Sequence, residues 1–230
     1  MHFFSRFTWR LWTGIGLLIA MVGLGEATEW HHVTHGNQEV WWHLLRARRD
    51  GINPTVAALT SLFNPLNATI LVVVCGLGVW ALTRNIRQAA YVWGTVIFAT
   101  IISTVTKALA DVARPPLAGR LVQVSSASFP SGHTTAVTAL GVALATVFAA
   151  YLRASGRGRR AVIAVWVFAW VWVAVIALTR LYLGVHWMTD VMGGMLVGAA
   201  AALIAADFAQ VSRDVLPRFH SRRQHGSRVR

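Results

Sequence analysis

The sequence predicts an all-α integral membrane protein: a bundle of six transmembrane helices, with a short interfacial amphipathic helix before the second span. Three observations carry this. Hydrophobic residues make up 56% of the 230 positions and charged residues only 13%. Mean hydropathy is +0.55. The apolar residues gather into six charge-bounded runs, each near the roughly 20 residues that a helix needs to cross a hydrocarbon core about 30 Å thick.

The runs cover about 7–25, 55–82, 89–109, 131–151, 161–181 and 187–208. Trp9 and Trp12 suit an interfacial anchor at the start of the first. Gly23-Leu24-Gly25 after a basic, apolar beginning is also the pattern of a signal-peptide cleavage site, so a retained span and a cleaved leader both fit. The length of the run favours retention. Between the first two runs, Val40, Leu44 and Ala47 recur at helical spacing with Trp41 beside them, which predicts the interfacial helix within 37–50. Arg46, Arg48 and Arg49 at its end are read as surface cations that attract an anionic lipid head. The second run opens on Asn53-Pro54, a capping residue followed by a first-turn proline. Pro65 is expected to kink that long helix, and tilt, or a start lying in the headgroup layer, to absorb its excess length. In the last run, Gly193, Gly194 and Gly198 with Ala199 to Ala202 predict close helix packing. No repeat divides the chain. Residues 1–230 read as one six-helix domain, ending in a basic tail from about 212 to 230 that is expected to be disordered at the cytoplasmic surface.

Charge settles the expected orientation. The chain carries 21 Lys and Arg, 8 Asp and Glu, and a formal net charge of +13. These cations lie between apolar runs, without a zinc-finger, helix-turn-helix or RNA-binding signature, so no nucleic-acid partner is expected. Fourteen of them fall in alternate connections, from Arg6 and Arg10, through Arg84, Arg87 and Arg153 to Arg160, to the C-terminal tail; seven fall in the others. Short basic loops stay in the cytoplasm, which places both termini there. The single Cys75, inside an apolar run, excludes an internal disulfide, and Ala81 stands where a thiol phosphatase needs an arginine.

Six ionisable residues crowd the outer ends of the last four runs: Lys107, Arg114, His133, Arg180, His186 and Asp190. A charge at the centre of a membrane helix costs about 2.5–3.5 kcal/mol, and less near its ends, so these groups must pair, reach water or bind something charged. Singly, each can snorkel to the headgroups, and Asp190 can pair structurally with Arg180. Together, three fixed cations and two imidazoles converging on the helix start at Ser131-Gly132-His133 predict a phosphate site. There the backbone amides and the helix dipole favour an anion.

These residues stand in three ordered motifs: Lys107, six residues, then Arg114-Pro115; Pro130-Ser131-Gly132-His133; and Thr179-Arg180, five residues, His186, three residues, Asp190. In this the sequence resembles the type 2 phosphatidic acid phosphatase superfamily of membrane lipid phosphatases, with Thr179 replacing the usual serine. The motifs cover Lys107 to Asp190, and the six-span layout extends the resemblance over nearly the whole chain.

The resemblance implies that His186 attacks phosphorus to form a phosphohistidine, with Asp190 holding its tautomer, while His133 protonates the leaving oxygen and then activates water. Lys107, Arg114 and Arg180, with the backbone at Ser131 and Gly132, would bind the phosphate. No metal and no cofactor is implied. His31 and His35 have zincin spacing, but His32 occupies the position of the general-base glutamate and no third ligand follows, so an ordinary solvated loop is expected there. Arg120 is left open between a contact to a second phosphate and a bystander.

The expected partners are a lipid phosphate or diphosphate and the bilayer itself. The site would face outward from the inner (plasma) membrane of a bacterium, with a polyprenyl diphosphate such as undecaprenyl diphosphate favoured, and phosphatidylglycerophosphate or phosphatidate next. A lipid phosphotransferase would use the same residues. An anion transporter would need polar residues through the membrane depth, whereas these charges keep to one face. Oligomeric state has no signature.

Overall fold

The structure, a computed structural model, describes residues 9–209. The basic tail expected from about 212, and Arg6, lie outside the described residues. Among the described residues, eight α-helices follow in order: α1 (Trp9–Ala27), α2 (His31–Arg46), α3 (Asn53–Ser61), α4 (Pro65–Thr83), α5 (Ile86–Ala110), α6 (Gly132–Ala154), α7 (Arg159–Tyr182) and α8 (Met188–Phe208). Six of them, α1 and α4 to α8, are long and apolar enough to cross a membrane. The protein is therefore an integral membrane helix bundle.

The centre of the bundle is α6 against α8, with α1 and α5 also on α8, α7 on α6, and α4 packed outside α5. Close approach of α6 and α8 depends on two glycines. A Cβ at Gly194 would stand 2.7 Å from the Ser131 carbonyl oxygen, and one at Gly198 would stand 2.6 Å from Thr138 Cβ. Lipid offers no hydrophobic penalty to drive helices together, so such close van der Waals contact supplies much of the association. One apolar cluster runs through the bundle from Met21 of α1 to Ala206 of α8.

Two elements differ from the sequence expectation. The second run is not one kinked helix: it breaks at Leu62-Phe63-Asn64 into α3 and α4. Asn64 is extended, with φ −63° and ψ 151°, as steric conflict with the following proline ring favours, and Pro65 occupies the first turn of a new helix. Phe63 is buried in the core and pins the elbow. The 19 residues of α4 span about 28 Å at 1.5 Å per residue, so no excess length remains to be absorbed. The second difference is α2. It begins at His31, so the stretch expected to be a loop is its first turns, and its inward stripe runs back from Leu44 and Trp41 to Asn37 and Val33. His31 and His35 lie on its exposed face, with Glu39 3.5 Å from His35 Nδ1.

Candidate active site

The end of α5, the starts of α6 and α8, the end of α7 and the α3–α4 elbow meet at one end of the bundle, around a cavity of about 400 Å³. Lys107, Arg114, Gly132, His133, Arg180 and His186 line it, together with Thr60 in the last turn of α3 and Asn64 of the elbow. Ser131 and Asp190 do not line it. Both are fully buried behind it, and the Ser131 amide donates to the Asp190 carbonyl at 2.9 Å. Of the three amides expected to face an anion, that of Ser131 is therefore already engaged, and those of Gly132 and His133 remain, because first-turn amides have no intrahelical acceptor.

His186 sits in the turn before α8 rather than on it, since the helix begins at Met188 with Asp190 in its first turn. The i, i+4 pair survives: His186 Nδ1 is 3.1 Å from Asp190 Oδ2. Arg114 Nη1 donates to His186 Nε2 at 3.2 Å. A guanidinium has only N–H donors, so Nε2 must hold the lone pair and Nδ1 the proton. Burial first, then the positive charges of Arg114, Arg180 and Lys107, push the His186 imidazolium well below its usual range, which keeps the ring neutral. The same Asp190 oxygen accepts from the Ser128 hydroxyl and, at 2.8 Å, from the Trp187 amide.

The cations are held by neutral oxygens. Lys107 Nζ donates to the carbonyls of Ala127 and Ser128 at 2.7 and 3.2 Å. Arg114 clamps two loops, with Nε on the Ser126 carbonyl at 2.6 Å, Nη1 on Val185 at 2.7 Å and Nη2 on Ala127 at 3.2 Å. Arg180 Nη1 donates to Thr60 Oγ1 at 2.9 Å, while its buried Nε has no partner among the described residues. None of the three cations forms an ion pair with a carboxylate among the described residues. Their charge is left for something else.

Several contributors carry no charge and escaped the sequence reading. Ser128, Thr60 and Asn64 each bond one of the ionisable groups. Arg48, just after α2, ties that helix to the end of α7 and to the segment following α5, donating to the carbonyls of Tyr182 and Gly119 at 2.8 Å each. Arg120 turns instead to its own loop, with Nε 2.7 Å from the Pro115 carbonyl. Asn64-Pro65, a residue suited to capping before a first-turn proline, was the available signal for the elbow.

Beside the polar cavity, Leu62 and Phe63 border a second, apolar one of about 580 Å³ between α4, α6 and α7, walled by Leu140, Leu144, Phe168 and Trp172. A neutral imidazole whose Nε2 lone pair accepts only from Arg114, three cations without a carboxylate ion pair among the described residues, and an apolar recess beside the elbow, all inside a six-helix bundle, are the parts of an integral membrane phosphoric ester hydrolase.

Known proteins agree. The PAP2 superfamily model matches residues 88–214, and the chain belongs to this superfamily. It is 24% identical over 196 residues to phosphatidylglycerophosphatase B of Bacillus subtilis, covering 84% of this chain and 93% of that protein. It is 30% identical over 129 residues to lipid A 1-phosphatase of Rhizobium johnstonii, covering 51% of this chain and 46% of that protein. Its fold matches the crystal structure of a transmembrane PAP2 type phosphatidylglycerolphosphate phosphatase from Bacillus subtilis with a TM-score of 0.76 at 22% identity, over 90% of this chain and 99% of that one. The protein is a PAP2-type membrane lipid phosphatase, as its motifs imply.

Proposed function

We propose that this protein hydrolyses a lipid phosphate or diphosphate at the extracytoplasmic face of a bacterial inner membrane, through a phosphohistidine and without a metal. The observation that carries the reading is the His186 ring, held neutral with its Nε2 lone pair on the cavity that three cations share.

The phosphate enters among Lys107, Arg180 and the Gly132 and His133 amides, and draws Arg114 Nη1 from Nε2 onto a phosphate oxygen. Nε2 attacks phosphorus and the bond to the lipid-side oxygen breaks; His133 gives that oxygen a proton. The Nδ1 proton stays on the Asp190 side, stabilising the charged ring. Water then gives a proton to His133 and attacks phosphorus, the P–N bond breaks, and Nε2 recovers its lone pair as phosphate leaves. The cations offset charge on the equatorial oxygens throughout. The lipid tail lies in the apolar recess beside Leu62 and Phe63 or in the bilayer.

For orientation, Arg84, Arg87 and Arg153 to Arg160 gather at the end opposite the site, which supports an outward-facing cavity. Phosphatidylglycerophosphate is supported by the Bacillus subtilis relative, matched over 93% of its length. Undecaprenyl diphosphate, favoured on the family resemblance, is the other leading substrate.

The test is phosphate release by purified protein from phosphatidylglycerophosphate, phosphatidate and undecaprenyl diphosphate, each with chelator. Chelator-resistant release that His186→Ala abolishes, with folding intact, is expected. Turnover by His186→Ala equal to the parent would remove the nucleophile assignment, and activity appearing only with an acceptor lipid would make the protein a phosphotransferase.

A further inference from the structure

The two imidazoles of the site have different partners. His186 faces a carboxylate at 3.1 Å, but His133 Nε2 is 3.1 Å from Asn64 Oδ1, a neutral amide contributed by the α3–α4 elbow 69 residues away. The Asn64 side chain is not used locally. Asn64 is the N-cap residue of α4, yet its side chain makes no capping bond. Its backbone is fixed independently: the amide donates to the Ser61 carbonyl at 3.0 Å, the carbonyl accepts from Ala68 at 2.8 Å, and Pro65 follows. The carboxamide is thus held over the cavity with His133 as its partner.

From this geometry we infer that Asn64 is a positioning residue for His133: its side-chain oxygen accepts the Nε2 proton and leaves Nδ1 as the nitrogen that exchanges a proton with the leaving oxygen and with water. The inference rests on the acid–base role proposed for His133. An amide oxygen suits that role, because it can accept from Nε2–H whether the ring is neutral or charged. A carboxylate in the same place would favour the imidazolium and make the proton harder to release. Around His133 the facing groups are Arg180 of α7, His186 before α8, Arg114 of the loop after α5, and Lys107 of α5. No carboxylate is among them, so a neutral partner leaves the ring free to give up its proton. Thr60, in the last turn of α3 just before the elbow, holds Arg180 in a parallel way.

The experiment is a double-mutant cycle on purified full-length protein, read as phosphate release from phosphatidylglycerophosphate in detergent micelles. Asn64→Ala is expected to lower kcat about 10-fold with KM changed less than about 2-fold, a fraction of the 10²–10⁴-fold that a positioned acid–base group supplies. In a His133→Ala background, Asn64→Ala is expected to have less than about 2-fold further effect, because the residue it positions is gone. Asn64→Asp, which retains an acceptor at the elbow, is expected to move the basic limb of kcat/KM about one pH unit upward. Equal losses from Asn64→Ala in both backgrounds, a loss confined to KM, or an unmoved limb in Asn64→Asp would each overturn the positioning role while leaving His133 in place. Full activity of His133→Ala would overturn it together with the acid–base reading.

Discussion

Ser128 and Asp190, 62 residues apart in sequence, share a buried hydrogen bond in which the serine hydroxyl donates to the carboxylate oxygen that also faces His186. Three donors therefore converge on Asp190 Oδ2: the Ser128 hydroxyl, the Trp187 amide and the His186 ring. They aim it so that Nδ1 carries the proton. Asp190→Asn should keep the shape but permit the wrong tautomer, lowering kcat by about 10²–10⁴-fold. Ser128→Ala should lower it by about 10-fold, in line with the loss of an outer hydrogen-bond partner of a reacting histidine. Phosphate release at saturating substrate checks both, with the helical circular-dichroism spectrum unchanged.

The second expectation concerns Asn37 and Thr189. Asn37 Nδ2 donates to Thr189 Oγ1 at 3.0 Å, and the Thr189 amide donates to Asn37 Oδ1 at 3.2 Å. This reciprocal pair docks α2 onto the first turn of α8, one residue before Asp190. Asn37→Ala would strand a buried amide and a buried hydroxyl, at a cost of about 1–3 kcal/mol. Thermal unfolding in detergent should show a lowered midpoint. An unchanged midpoint would mean that the Asn37–Thr189 pair contributes nothing to the docking of α2.

Packing between α6 and α8 makes a third. A side chain at Gly198 would meet Thr138 Cβ at 2.6 Å and the Ala139 amide at 2.7 Å, and the second of these is backbone. Gly198→Val should destabilise the bundle by about 1–3 kcal/mol or more, as overpacking does. It should also reduce activity, because Ser131 at the start of α6 is bonded to Asp190 of α8. Gly16, with open space around it, is the control: Gly16→Ala should leave the midpoint near that of the parent.

A fourth follows from the neutral state of His186. Its folded pKa lies below that of the unfolded chain, so between the two values the unfolded state binds more protons and stability rises with pH. That contribution is complete above the ordinary imidazole value of about 6.5 and is lost as pH falls below it, with a limiting slope of about 1.4 kcal/mol per unit. Unfolding midpoints measured from pH 7.5 to 5 should fall more steeply for the parent than for His186→Asn. Parallel curves would show that the ring is not buried in its neutral form.

The spans were legible because the bilayer allows few solutions. With no water to satisfy them, backbone groups must bond within each segment, so an apolar run of sufficient length bounded by charge is a helix, and the ends of five of the six lie within a few residues of those expected, the start of the second run being the exception. The kink expected at Pro65 failed for a local reason. Proline can bend a helix or begin one, and here the buried Phe63 and the extended Asn64 select the beginning. Likewise His31 to His35 read as loop because the apolar stripe was traced only from Val40, whereas Val33 and Asn37 carry it to the start of α2.

In the site, the ionisable members could be read from the chain: charge near hydrocarbon is costly, and residues that bear that cost stand out by type alone. The resemblance already paired His186 with Asp190. What the tertiary structure alone decided is which neutral groups meet them: Ser128 at Asp190, Thr60 at Arg180, Asn64 at His133 and Asn37 at Thr189. Serine, threonine and asparagine cost little wherever they fall near a membrane surface, so they leave no mark in a linear pattern. Their partners lie 62 to 152 residues away, and a hydrogen bond over that separation exists only after the helices have packed.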